Sequence, residues 1–125
     1  MSLIIIIEDD AQSARLAMKI LQRDGHHVML ASDGECGLTM AFGHQPDAIL
    51  VDLGLPDLDG QTVVALMRQQ ASLAQVPILA FTAWPEAKAR EMAHAYGCDG
   101  VITKPIDTRS FAAQVNTYLP PKVEP

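Results

Sequence analysis

Residues 3–10 read Leu3-Ile4-Ile5-Ile6-Ile7-Glu8-Asp9-Asp10, a continuous aliphatic run that stops on three acids. No polar residue alternates within the run, so the strand it forms must be covered on both faces, as in a parallel sheet flanked by helices. Comparable runs stand at Ala48–Val51, Val76–Phe81 and Val101-Ile102, and the polar groups that follow them are Asp52, Thr82 and Lys104. In an open parallel sheet the carboxyl ends of the strands lie along one edge. The four runs therefore bring carboxylates, a hydroxyl and an ammonium to a single edge.

Helical periodicity fills the gaps between the runs. Ser13, Leu16, Ala17, Ile20 and Leu21 share one helical face, closed by Asp24-Gly25. His27–Ala31 reads as a second strand. Ser32 and Glu35 stand at capping-box spacing before a helix that presents Leu38 and Ala41 and stops at Gly43. Ala48–Leu53 is the third strand, and Leu55-Pro56-Asp57-Leu58-Asp59-Gly60 leads into a helix with Val63, Val64, Leu66 and Met67. Val76–Phe81 is the fourth strand, Glu86–Tyr96 a helix ended by Gly97, and Val101–Thr103 the fifth strand. Asp107 is placed to cap a last helix bearing Phe111, Ala112, Val115, Tyr118 and Leu119, which Pro120-Pro121 stops. Alternation of this kind requires right-handed crossovers, and it fits an α/β, flavodoxin-like doubly wound (βα)5 fold with a five-stranded parallel sheet of order 2-1-3-4-5. On that order strands 1, 3, 4 and 5 are neighbours, and these are the strands with polar ends.

The 125 residues suit one domain, expected over 1–119 with a C-terminal tail at 120–125. Hydrophobic residues make up 49% and charged residues 19%, enough apolar material for a core. A net charge of −6 without a basic patch argues against nucleic-acid binding. The first apolar run is too short to cross a membrane and no cationic segment precedes it, so the expectation is a cytoplasmic protein. Cys36 and Cys98 lack close spacing and read as unpaired small residues in the core or half-buried. His26, His27, His44 and His94 fall near loops or helix surfaces without shared spacing, and the methionines at core-like positions.

Adjacent carboxylates at a strand end repel one another, and a divalent cation removes the conflict. Oxygen donors, few of them from protein, suit Mg2+. Asp9 and Asp52 read as direct ligands and Glu8 as one acting through water. A carboxylate can also act as a nucleophile and form an aspartyl-phosphate, and Asp52, alone at its strand end, is the candidate. Lys104, the Thr82 hydroxyl and nearby backbone N–H groups would support the remaining phosphoryl oxygens. Asp10 reads as an outward-facing residue at the first helix, and Asp57 and Asp59 as loop formers.

The segments IIIIEDD, ILVDLGLPDLDG, PILAFTA and ITKP resemble the signature blocks of the receiver domain of two-component response regulators, in order and spacing, from about Leu3 to Leu119. The resemblance implies that Asp52 accepts phosphate from a histidine kinase or phosphotransfer protein. It implies Mg2+ held by Asp9, Asp52 and the Gly54 carbonyl, with Glu8 completing the acidic pair. It also implies that Thr82, Ala83 and Lys104 bind or read the phosphoryl group, and that the bond before Pro105 is cis.

Three positions depart from the family's habit. Val101 stands where an aromatic switch residue is common, Gly54 follows Asp52 by two residues, and Trp84 follows Thr82 by two. Gly54 has no side chain to orient water and Trp84 is bulky, so a long-lived aspartyl-phosphate is expected. Trp84 reads equally as a lid or as a partner contact. The start at Met1-Ser2 and the short ending favour a stand-alone, single-domain unit, monomeric or weakly dimeric. Such a unit would signal to an effector protein through the fourth helix, fifth strand and fifth helix, at Ala87, Arg90, His94 and Val101, rather than as an enzyme. Two alternatives are a phosphatase or phosphotransferase working through an aspartyl-phosphate, and an inert receiver-like interaction module. The enzyme needs a second acid at the Gly54 position; the inert module does not explain the complete set of reactive side chains.

Overall fold

Four consecutive isoleucines give β1 (Leu3–Ile7) two apolar faces. Ile5 and Ile7 turn to one side of the sheet, where they join Leu38, Val63, Val64 and Met67. Ile4 and Ile6 turn to the other, against Ala17, Leu21, Phe111 and Val115. All four isoleucines are fully buried, and each contributes roughly 1.5–3 kcal/mol by leaving water. The sheet is thus the middle layer of three.

The computed structural model describes residues 2–119. Among them the elements run β1, α1 (Ala11–Arg23), β2 (His27–Ala31), α2 (Gly34–Gly43), β3 (Ala48–Asp52), α3 (Gly60–Gln69), a 3-10 turn (Ala71–Leu73), β4 (Ile78–Thr82), α4 (Glu86–Tyr96), β5 (Gly100–Thr103) and α5 (Phe111–Asn116). The strands are parallel in the order 2-1-3-4-5, as the alternation required. The tail at 120–125, including the Pro120-Pro121 stop, lies outside the described residues. Among the described residues no helix is long and apolar enough to cross a membrane.

Several local expectations are corrected. Asp33, not Ser32, caps α2, accepting from the Cys36 N–H at 2.7 Å. β4 begins at Ile78, after Pro77, which has no N–H to donate to a ladder. The last helix starts at Phe111 rather than beside Asp107, whose carboxylate instead accepts from Arg109 N–H at 2.9 Å in the preceding turn. Leu16 and Leu66, placed on apolar faces by periodicity, are 42% and 38% exposed. Cys36 is exposed rather than half-buried, while Cys98 is half-buried. His26, in the loop after α1, is buried, with Nε2 2.8 Å from Asn116 Oδ1 of α5, so it ties that loop to α5 rather than facing solvent. Gly97 does end α4 in the left-handed conformation, φ 92°, where a side chain would be strained.

Candidate functional site

Sheet register brings the polar strand ends to one level. Ile7 pairs with Val51, so Glu8 stands one step on, beside Asp52. Asp52 pairs with Phe81, and Thr82 with Thr103, which places Lys104 next along the edge. Glu8, Asp9 and Asp52 each offer a carboxylate oxygen within 4.8 Å of the others. Lys104 Nζ forms an ion pair with Glu8 Oε1 and lies 3.4 Å from Asp52 Oδ2. Its ammonium also sits 4.9 Å above the centre of the Phe81 ring. Periodicity hid that ring contact, because it treats Phe81 only as core.

Burial differs sharply within the cluster. Glu8 and Asp52 are buried, whereas Asp9 is exposed. Burial, then the neighbouring Asp52 carboxylate, pushes the Glu8 carboxyl up to about 7 against the pull of Lys104. Burial also opposes the charge on Asp52, yet Glu8, the Gly54 N–H at 2.8 Å and the Lys104 charge hold its carboxyl below the ordinary range. Burial works against the Lys104 ammonium too, and its contacts with Glu8 and Asp52 more than offset this, raising it. The two buried carboxyls are therefore pushed in opposite directions, Glu8 up and Asp52 down.

Two features fit a hard divalent cation. The donors are oxygens only, and Glu8 Oε2 is buried without a hydrogen-bond partner. A magnesium ion with its bound waters is the kind of group that satisfies such an atom.

Thr82 is buried at the end of β4, and its Oγ1 accepts the Trp84 N–H at 3.1 Å. Ala83 between them is exposed. The Trp84 side chain is half-buried and packs on Leu53, Ala80 and Ala93, with Val101 in the same group, and Lys88 Nζ lies 5.6 Å over the ring. Trp84 is accordingly anchored to the protein along one side, with part of its ring still exposed. The Lys104–Pro105 bond is cis. Asp10 faces out as the cap of α1, accepting from Ser13 N–H at 3.1 Å, and Asp59 caps α3 through Thr62 N–H at 2.7 Å.

A family model described as the response regulator receiver domain matches residues 4–116. The DNA-binding dual master transcriptional regulator RpaA of Synechocystis sp. is 35% identical over 116 residues, covering 93% of this chain and 48% of that protein. The chain thus spans about half the length of RpaA. The polar-differentiation response regulator DivK of Brucella anthropi is 28% identical over 116 residues, covering 93% of this chain and 94% of DivK. The chemotaxis response regulator CheY4 of Vibrio cholerae superposes with a TM-score of 0.90 at 24% identity, covering 95% of this chain and 99% of that one, a likeness of fold.

Proposed function

The chain belongs to the response regulator receiver domain family, and on that premise we propose that Asp52 is its phosphoryl acceptor, loaded by a phosphohistidine of a sensor kinase or phosphotransfer protein. The observation that carries this reading is the meeting of Glu8, Asp9 and Asp52 carboxylates with Lys104 at one sheet edge. An Asp52 oxygen, kept anionic, attacks phosphorus in line; the O–P bond forms as the P–N bond breaks, and the imidazole leaves with the electron pair. Lys104 would shift from Asp52 to the arriving phosphoryl oxygens, and the Thr82 hydroxyl would turn from the Trp84 N–H to them. A Mg2+ ion held by Asp9, Asp52 and the Gly54 carbonyl, with Glu8 reaching it through water, would supply charge neutralisation at the phosphoryl group.

The output follows from the same edge. A shallow groove of about 380 Å3, lined by residues including Arg90, Val101, Gln114 and Tyr118, runs between α4, β5 and α5. Thr82 lies at the end of β4 beside β5, so its movement would bias the loops feeding that face and the effector it binds. Val101 leaves this coupling without an aromatic ring. We place the receiver unit at 1–119, followed by a tail, acting in the cytoplasm as a monomer or weak dimer without nucleic-acid contact or turnover of its own substrate.

The test is incubation with acetyl phosphate and Mg2+, followed by intact mass. One phosphoryl adduct, absent from Asp52→Asn, is expected. An adduct that persists in Asp52→Asn refutes the assignment; no adduct at all points to an inert module. Sustained release of phosphate from p-nitrophenyl phosphate, many equivalents per site, would mark a phosphatase instead.

A further inference from the structure

The loop between β3 and α3 is tied down at three points. Gly60 docks so tightly on Leu53 that a Cβ there would lie 2.6 Å from Leu53 Cδ2 and 2.9 Å from its Cα. Asp59 caps α3 from within the same segment. These two ties close the loop on itself without fixing it to the rest of the sheet edge. The third tie does reach outward. Asp57 Oδ1 accepts the Gly34 N–H at 2.8 Å and Oδ2 the Glu35 N–H at 3.0 Å.

Gly34 and Glu35 open α2, whose next N–H, that of Cys36, is already taken by Asp33. Two aspartates therefore divide the free N–H groups of one helix start, and one of them comes from the acceptor loop. The contact is close as well as polar, since a Cβ at Gly34 would lie 3.1 Å from Leu58 Cβ. The two backbone bonds hold the Asp57 carboxyl below the ordinary range. The path then closes on the site: α2 follows β2, and the β2 residue Ala31 accepts the Glu8 N–H at 2.9 Å. Loop, helix start, β2 and Glu8 are thus linked in one chain of contacts that ends at the carboxylate cluster.

We propose that Asp57 is a positioning residue for phosphoryl acceptance, pinning the loop that carries Asp52 and Gly54 to the start of α2. The proposal rests on the receiver reading and adds a residue to it. Its physical content is that Gly54, whose N–H orients Asp52 Oδ1, lies between the acceptor and the pin. Releasing the pin lets Gly54 drift and blurs the aim of the acceptor carboxylate. Helix capping alone would leave the site untouched.

Two readouts on the full chain separate these roles. Mg2+ is titrated against the fluorescence of Trp84, the single tryptophan, and adduct formation with acetyl phosphate is timed by intact mass. Asp57→Ala is expected to raise the Mg2+ midpoint and slow the adduct, each about ten-fold, as for outer partners of metal ligands elsewhere. Asp57→Asn, which keeps an acceptor oxygen, recovers part of both. Asp33→Ala, which removes the neighbouring cap but no tie to the loop, lowers stability and keeps the wild-type midpoint and rate. Wild-type values in Asp57→Ala, or equal losses in Asp33→Ala, overturn the proposal. If Asp57→Ala does not fold, Asp57→Asn decides: an unshifted midpoint and rate overturn it. A wild-type chain that takes no adduct sinks the receiver reading itself, whereas an unaffected Asp57 variant sinks only this role.

Discussion

Glu8 shows how little a residue's type says about its state. The sequence marks it as one of three adjacent acids; the fold buries it beside Asp52 and raises its carboxyl to about 7, chiefly by desolvation. In the unfolded chain it titrates near the ordinary 4.5, so between about pH 4.5 and 7 the folded state binds more protons. Stability from this group is complete below that window and is lost as pH rises through it. In EDTA, the melting temperature should fall by at least ~5 °C between pH 5 and 7.5 more steeply in wild type than in Glu8→Gln. Parallel profiles would show that Glu8 is not perturbed. A second residue-scale expectation concerns Gly54 and Trp84. With no side chain at 54 to orient water and an anchored indole at 84, the aspartyl-phosphate should last minutes or longer, and Trp84→Ala should shorten it several-fold. A wild-type half-life of seconds in Mg2+ contradicts this.

At the scale of elements, α2 carries the clearest test of packing. A Cβ at Gly37 would lie 2.4 Å from Ile7 Cδ1, so the helix rests directly on β1, whereas Gly43 at the end of the same helix has open space around it. Gly37→Ala should destabilise by about 1–3 kcal/mol through overpacking. Gly43→Ala should stabilise by about 0.4–1 kcal/mol by restricting the unfolded chain. Urea unfolding of the two variants measures both, and equal signs would refute the docking. Arg68 ties another set of elements together. From α3 its guanidinium reaches Val76 O at 2.7 Å, Gly97 O at 3.1 Å and Asp99 Oδ2 at 2.8 Å, holding the turn after α4 to the entry of β4. Sequence periodicity cannot see such a fork, because its partners are two backbone carbonyls and one carboxylate scattered through the chain.

For the whole molecule, the sheet is both the middle of the core and the platform of the site, so occupancy of one edge must register in global stability. A ligand that binds only the folded state at a hundred times its Kd adds about 2.7 kcal/mol. Mg2+ at that excess should raise the urea midpoint accordingly, EDTA should reverse it, and Asp52→Asn should weaken it. No shift in wild type would mean that the carboxylate cluster is not a cation site. On the proposed reading, the same coupling would let a phosphoryl group on Asp52 bias a face formed by α4, β5 and α5.

What the sequence by itself determined was the order of elements and the identity of the converging groups. Unbroken aliphatic runs admit few structures other than doubly covered parallel strands, and parallel strands place Glu8, Asp52, Thr82 and Lys104 at a common edge. Tertiary structure alone decided that burial pushes the Glu8 carboxyl up while Asp52 is held down, that Lys104 pairs with Glu8 above the Phe81 ring, and that Asp57 reaches across to α2. Those outcomes depend on burial and on distances between residues far apart in the chain, where a few ångströms separate a buried ion pair from two solvated charges.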